Sequence, residues 1–543
     1  MRSLNYANIV LKSDSIFTGE TNSLIQGGIA IRGNKIMAVG PNNIIDTLIG
    51  SGTNVYEFGD KLIMPGFIDA HFHLFMGAVI NSSKITCTEL IKSTSEEECV
   101  KIIKEFAEEH PGLDRIRGVG WFPANWKNKP LPTRKLLDAA IPDKPVYLIC
   151  ADRHTHWLNT KALEECNITK DTCVSFGEIG KDKNGDLTGI LLEIEACAIS
   201  MEKFLDLSDE EMKIVLIDLL EDVSKYGITS LCDLGISATP QEENHPYEIL
   251  RGIELDNKLT SRVFLYPILS NDTDLTNAKK LKGLYKSDKM QVAGLKQFID
   301  GVTSTYSGYL LEPYTDKPDT CGFSNSPKDI FEKCAIHANA NDFSVRFHAV
   351  GDAAVRMALD IFEESKRINC NKHLKNSIEH CENIHPDDIE RFYSADVVAS
   401  LQPYHLTLDF NEKLLRIGME RSKFEWPHNS ILEKRGTLAF GTDFPVVSYN
   451  PFPNIYSALT RCDDEGNPTG VNPWEAISLP DVLRAYTYGG ACSHNKQDIL
   501  GQLKEGMIAD IIVLDRNLFS IPDYEIPETN VILTIMDGEV ISG

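Results

Sequence analysis

His71 and His73 stand two residues apart at the end of an apolar run, Met64-Pro65-Gly66-Phe67-Ile68-Asp69-Ala70. On a strand that spacing puts both imidazoles on one face, where they can converge on a single cation. A bare His-x-His is a weak signal, because either ring could be an ordinary polar residue leaving a strand. Three further runs carry the same design. Ser344-Val345-Arg346-Phe347-His348 is followed by Gly351 and a helical pattern, Ser377-Ile378-Glu379-His380 repeats the arrangement, and Thr437-Leu438-Ala439-Phe440-Gly441-Thr442-Asp443 ends on a carboxylate. Four imidazoles and one carboxylate at successive strand ends make a nitrogen and oxygen donor set suited to Zn²⁺ or a similar divalent ion.

Lys296, in Gly294-Leu295-Lys296-Gln297-Phe298-Ile299-Asp300, falls within an apolar strand that faces the interior. A buried ammonium readily loses its proton. The neutral amine can then take up carbon dioxide as a carbamate, an anion able to bridge two cations. The alternative is an ammonium paired with nearby Asp300. A second tier of candidates lies in Asp152-Arg153-His154-Thr155-His156-Trp157, where His154 or His156 could hydrogen-bond a substrate oxyanion. Trp121, with Phe122 and Trp126, could wall the same pocket or simply pack as core.

The elements that must position these groups alternate between apolar strands and helices. Thr229-Ser230-Leu231-Cys232-Asp233, Arg262-Val263-Phe264-Leu265-Tyr266, Val345–His348 and Thr437–Gly441 read as strands, and the run from Ala353 to Phe362 reads as a helix between two of them. Such alternation implies an α/β protein with a parallel sheet, and at this length closure into a (β/α)₈ TIM barrel, whose strand ends form the catalytic face. Residues 65–502 are assigned to the barrel. An insertion over about 93–203, after the first barrel strand, is expected to fold over its mouth. Both chain ends read as short strands and turns, with too few strands at either end to bury a sheet face alone. Residues 1–64 and 503–543 are therefore expected to join in one composite β-sandwich.

Composition bounds the rest. The 543 residues are 42% hydrophobic and 24% charged, ordinary for a globular chain with a large core. A net charge of −25 argues against nucleic acid or an anionic membrane as partner. No apolar run is long enough to span a bilayer, and the N-terminus lacks the apolar core of a signal peptide. The 13 cysteines form no Cys-x-x-Cys pair, so reduced thiols in a cytoplasmic protein are expected. The expected partner is a small molecule, with a homodimer left open.

Taken together, these motifs resemble the amidohydrolase superfamily and, within it, amidohydrolase family 3, the branch that is N-substituted formamide deformylase-like. The likeness covers nearly the whole chain, including Leu131-Pro132-Thr133-Arg134, Asn159-Thr160-Lys161-Ala162-Leu163, Gly227-Ile228-Thr229 and Ala509-Asp510. The resemblance implies that His71, His73 and Asp443 hold a first metal and that His348 and His380 hold a second. Lys296, as N6-carboxylysine, would bridge the two divalent ions, Zn²⁺ first among the candidates. It further implies hydrolysis of a C–N bond (amide, formamide or cyclic amide) through a metal-bridging hydroxide, with Asp443 carrying the proton to the leaving nitrogen. Two other functions fit the same residues: an ester, lactone or phosphotriester hydrolase, and a non-catalytic ligand-binding or assembly protein. Loss of a ligand would signal the last, and all six positions are present.

Overall fold

The computed structural model describes residues 6–126, 131–151, 154–174, 177–235, 240–370, 374–408, 410–463 and 465–543. The chain divides into two compact units, one of residues 1–74 and 220–543, the other of residues 75–219.

In the first unit both chain ends enter one eight-stranded sheet. Its order runs Glu539–Ser542, Val531–Met536, Ile511–Leu514, Leu62–Pro65, Ile9–Ile16, Ile25–Arg32, Lys35–Gly40, with Asn54–Glu57 beside Ile9–Ile16. The ends meet where Ile512 pairs antiparallel with Met64. Leu11, Ile29, Ile31, Ile63, Val513 and Ile535 bury one continuous apolar face there, which neither end could cover alone. Arg262 ties this sheet to the strand that bears it, donating to Asp510 at 3.1 Å and to Asp537 at 3.1 Å.

The remaining strands of the unit form two parallel sheets. One has four strands, in the order Met290–Val292, Arg262–Tyr266, Ile228–Leu234, Phe67–Asp69. The other has five: Gly294–Phe298, Ser344–Ala349, Ser377–His380, Val398–Leu401 and Thr437–Phe440. Parallel bridges at Ile268–Lys296 and Phe72–Phe444 link the two sheets. These strands are buried along nearly their whole length, the reason they read as continuous apolar runs rather than alternating ones. The helix expected around residues 353–362 runs over Asp352–Asn369 and buries Val355, Ala358, Leu359 and Phe362 on one face.

The second unit is wider than the insertion expected over 93–203. Its sheet begins at the two-residue strand Thr86–Cys87, which pairs with Ile116–Trp121, so residues well before 93 belong to it. The order is Glu178–Lys181, Leu187–Leu192, Thr155–Leu158, Val146–Cys150, Ile116–Trp121, Thr86–Cys87. No disulfide joins any cysteine among the described residues, and no helix among them is long and apolar enough to cross a membrane.

Candidate metal centre

The strand Phe67–Asp69 delivers His71 and His73, and the strand Thr437–Phe440 delivers Asp443. Asp69 clasps the two strand ends together. Its carboxylate accepts from the backbone N–H of His71 at 3.1 Å, from the N–H of Thr442 at 3.1 Å and from the Thr442 hydroxyl at 2.7 Å. The Asp443 N–H donates to the His71 carbonyl at 2.7 Å. Asp443 and His380 both take left-handed backbone conformations, φ +58° and +72°, at a cost of about 1–3 kcal/mol each that clusters at functional sites.

Each expected histidine has one ring nitrogen engaged by the protein. Nδ1 of His71 donates to Glu379 at 2.7 Å, Nδ1 of His73 to the Leu234 carbonyl at 2.8 Å, and Nδ1 of His380 to Gln402 Oε1 at 2.9 Å. His348 uses Nε2 instead, donating to the Gly301 carbonyl at 3.1 Å. The opposite nitrogen of each ring is thereby left as the one to present a lone pair, as orientation of metal-binding imidazoles requires. Nε2 of His71 and of His73 lies 3.3 Å and 3.1 Å from the same oxygen of Asp443.

Two donor groups result, both buried and both within ligand reach: His71, His73 and Asp443, and His380, His405 and Asp443. The rings of His71 and His348 sit 4.7 Å and 4.4 Å from that of His380. His405 was not among the expected residues. It lies in a 3-10 turn, Pro403–Thr407, just past the strand Val398–Leu401, with Nε2 3.9 Å from the second Asp443 oxygen. The available signal was Gln402-Pro403-Tyr404-His405, a polar cluster at one more strand end.

Lys296 is completely buried and its Nζ has no hydrogen-bond partner among the described residues, with the Phe298 ring centroid 5.0 Å away. The alternative pairing with Asp300 is not formed. That carboxylate accepts instead from the backbone N–H groups of Val350, Gly351 and Tyr309 at 2.9–3.0 Å. Burial pulls the Lys296 ammonium down to about 8, opposed by the charges of Glu379 and Asp443. Burial likewise brings His348 down to about 4, helped by Lys296, and His380 well below its ordinary value. Burial would raise Asp443, but His71, His73 and His380 hold it well below the usual carboxylate range. His73 runs the other way: burial would lower it, and Asp443 more than offsets this. Positive charge is wanted beside Asp443, and a proton or a metal cation can supply it. The lowered imidazoles of His348 and His380, the ionised Asp443 carboxylate and the buried Lys296 amine fit a divalent cation.

The second-tier residues lie in the inserted unit. His154 is partly exposed, with Nδ1 3.2 Å from Glu193, and His156 is buried, with Nδ1 2.7 Å from the Ser200 hydroxyl. Trp121 was open to two roles, pocket wall or core. It is fully buried as core, its ring centroid 5.8 Å from that of Trp126 and 5.6 Å from that of Trp157. Only tertiary packing separates those two fates for an aromatic residue.

Comparison with known proteins gives the same direction. A family model described as "Amidohydrolase family" matches residues 56–542. The chain is 28% identical to Protein LONG AFTER FAR-RED 3 of Arabidopsis thaliana, over 94% of this chain and 88% of that one. It is 23% identical to the N-substituted formamide deformylase of Arthrobacter pascens, over 98% and 97% of the two chains. Among solved structures, a metal-dependent hydrolase from Pyrococcus furiosus superposes with a TM-score of 0.77 at 26% identity, covering 94% of this chain and 99% of that one.

Proposed function

This chain belongs to the amidohydrolase family, and on that premise we propose that it is a two-metal hydrolase that opens a C–N bond in a small amide, formamide or cyclic amide. The observation that carries the reading is the convergence of His71 and His73 Nε2 on one oxygen of Asp443, at 3.3 Å and 3.1 Å. His71, His73 and Asp443 would hold a first divalent ion. His348 and His380 would hold a second, with carboxylated Lys296 between them and His405 an added donor on the side of His380. When bound, such ions bring the pKa of water near neutrality and polarise a carbonyl.

The protein's own groups handle the proton. Asp443 is ionised and buried, with no lysine or arginine bonded to it among the described residues, so its carboxylate is free to take a proton from the attacking water. The same proton then goes to the leaving nitrogen, which departs as a neutral amine while the carbonyl carbon becomes a carboxylic acid that releases water's second proton to solvent. His73 keeps a fixed orientation throughout because the Leu234 carbonyl holds its Nδ1.

The reading includes a closed (β/α)₈ barrel, supported by the two bridges that link the parallel sheets. It also includes a sandwich built on the shared sheet of the chain ends. Metal analysis joined to a substrate screen tests the function. N-substituted formamides head the panel because the Arthrobacter pascens relative is named for them, followed by N-acyl and cyclic amides, with esters, lactones and phosphotriesters beside them. Turnover confined to the second set would replace the amide reading with the ester one.

A further inference from the structure

Behind the ring of His71 lies a buried ion pair that the proposed chemistry does not use. Arg346 and Glu379 are both wholly inaccessible to solvent. One Glu379 oxygen accepts from His71 Nδ1 at 2.7 Å, and the other accepts from the Arg346 guanidinium at 3.2 Å. The same Arg346 nitrogen donates to the carbonyl of Ala70, the residue before His71, at 2.6 Å. Its other terminal nitrogen donates to the Ser493 carbonyl at 3.0 Å and hydroxyl at 2.8 Å, and the guanidinium sits 4.3 Å from the Tyr266 ring centroid.

We propose that Glu379 is a positioning residue of the metal centre, and that Arg346 fixes it in one frame with the backbone of His71. A neutral imidazole carries one N–H and one lone pair, and an ionised carboxylate can only accept. Glu379 therefore keeps the His71 hydrogen on Nδ1 and leaves the Nε2 lone pair directed toward Asp443. Turning the ring over would strand a buried carboxylate oxygen, which is costly. Arg346 supplies the compensating charge. Its planar fork reaches Glu379 and the Ala70 carbonyl through one terminal nitrogen and Ser493 through the other, a spread that a single ammonium nitrogen does not match. Stability alone does not call for such a pair, since buried ion pairs are often replaceable by apolar residues without loss. Its contact with a metal-facing ring gives it a purpose. The inference rests on the reading that His71 binds a cation.

The test is the Zn²⁺ affinity of the full-length protein, measured by competition with a chromophoric chelator, beside the thermal stability of the metal-free form. Glu379→Gln should weaken Zn²⁺ binding about 10–100-fold, the usual effect of losing a carboxylate behind a metal-binding histidine. The paired variant Glu379→Gln/Arg346→Met removes the stranded charge and should recover stability while Zn²⁺ binding stays weak. It carries the test if the single variant does not fold, and Ser493→Ala should shift affinity in the same direction by a smaller factor. Arg262→Met, which breaks a buried ion pair far along the chain, should lose stability with Zn²⁺ affinity unchanged. Wild-type affinity in the paired variant, or equal weakening in Arg262→Met, would overturn the inference. His71→Ala separates the two readings: if wild type and His71→Ala bind Zn²⁺ equally, the cation reading itself fails. If they differ while both Glu379 variants match wild type, only the positioning role is lost.

Discussion

Replacing Lys296 by alanine removes the one amine that could bridge two cations as a carbamate, so metal and activity should be lost together. The magnitude follows from burial. With its ammonium drawn down from 10.5 to about 8, about a tenth of the amine is neutral at pH 7, against about one in three thousand for an unperturbed lysine. Neutral amine, the form that reacts with carbon dioxide, is thus enriched ~300-fold. Metal-free protein reconstituted with Zn²⁺ should regain activity faster with added bicarbonate and faster at pH 8 than at pH 6, followed by turnover and by ¹³C NMR of labelled carbamate. Acetate or formate can occupy the vacated space and should partly restore Lys296→Ala. Lys296→Arg should not respond, because its fixed charge repels both cations. His71→Ala, which lacks a neutral ligand, should not respond to carboxylates either. Full activity and full metal content in Lys296→Ala without additive would refute the bridge.

Asp443→Asn keeps the shape of the side chain and loses the proton acceptor, so kcat should fall about 10²–10⁴-fold with KM little changed, read by steady-state kinetics on protein of measured metal content. Deleting residues 503–543 removes the strand that pairs with Leu62–Pro65. The truncated chain should aggregate or become cleavable near Ile29 and Ile36 in limited proteolysis, and a soluble product with unchanged N-terminal protection would contradict the shared sheet. In the metal-free protein Glu379 and Glu382 are raised by burial yet held at about 2, by Arg346 and His71 in one case and by Lys413 and His405 in the other. A depressed carboxylate stabilises the fold above its unfolded pKa, near 4.5, and that contribution is lost as pH falls toward 2. Denaturant titrations should therefore show up to about 3 kcal/mol lost per group across that window, with the slope reduced in Glu379→Gln.

Much of the centre was legible because its residues sit at the ends of strands with strong local signals. His71 and His73 follow from a period of two, and His348, His380 and Asp443 each close an apolar run before a turn. Glu379 was in plain view beside His380, but its partner His71 is 308 residues away, and nothing local announces that bond. His405 escaped because a 3-10 turn past its strand has no periodicity to place a side chain. The early start of the inserted unit escaped for a similar reason: Thr86–Cys87 is too short to carry a strand pattern, and only its pairing with Ile116–Trp121 defines it. Trp121 needed the two other tryptophans packed against it before core and pocket could be told apart.

The central claim is a pair of divalent ions held by His71, His73, His348, His380, Lys296 and Asp443. Elemental analysis of the fully loaded protein, coupled to turnover before and after chelation, tests it most directly. The account predicts saturation at about two ions per chain, activity lost on chelation and activity restored by Zn²⁺. Saturation at one ion would remove the bridge at Lys296, and activity that persists in metal-free protein would contradict the metal mechanism altogether.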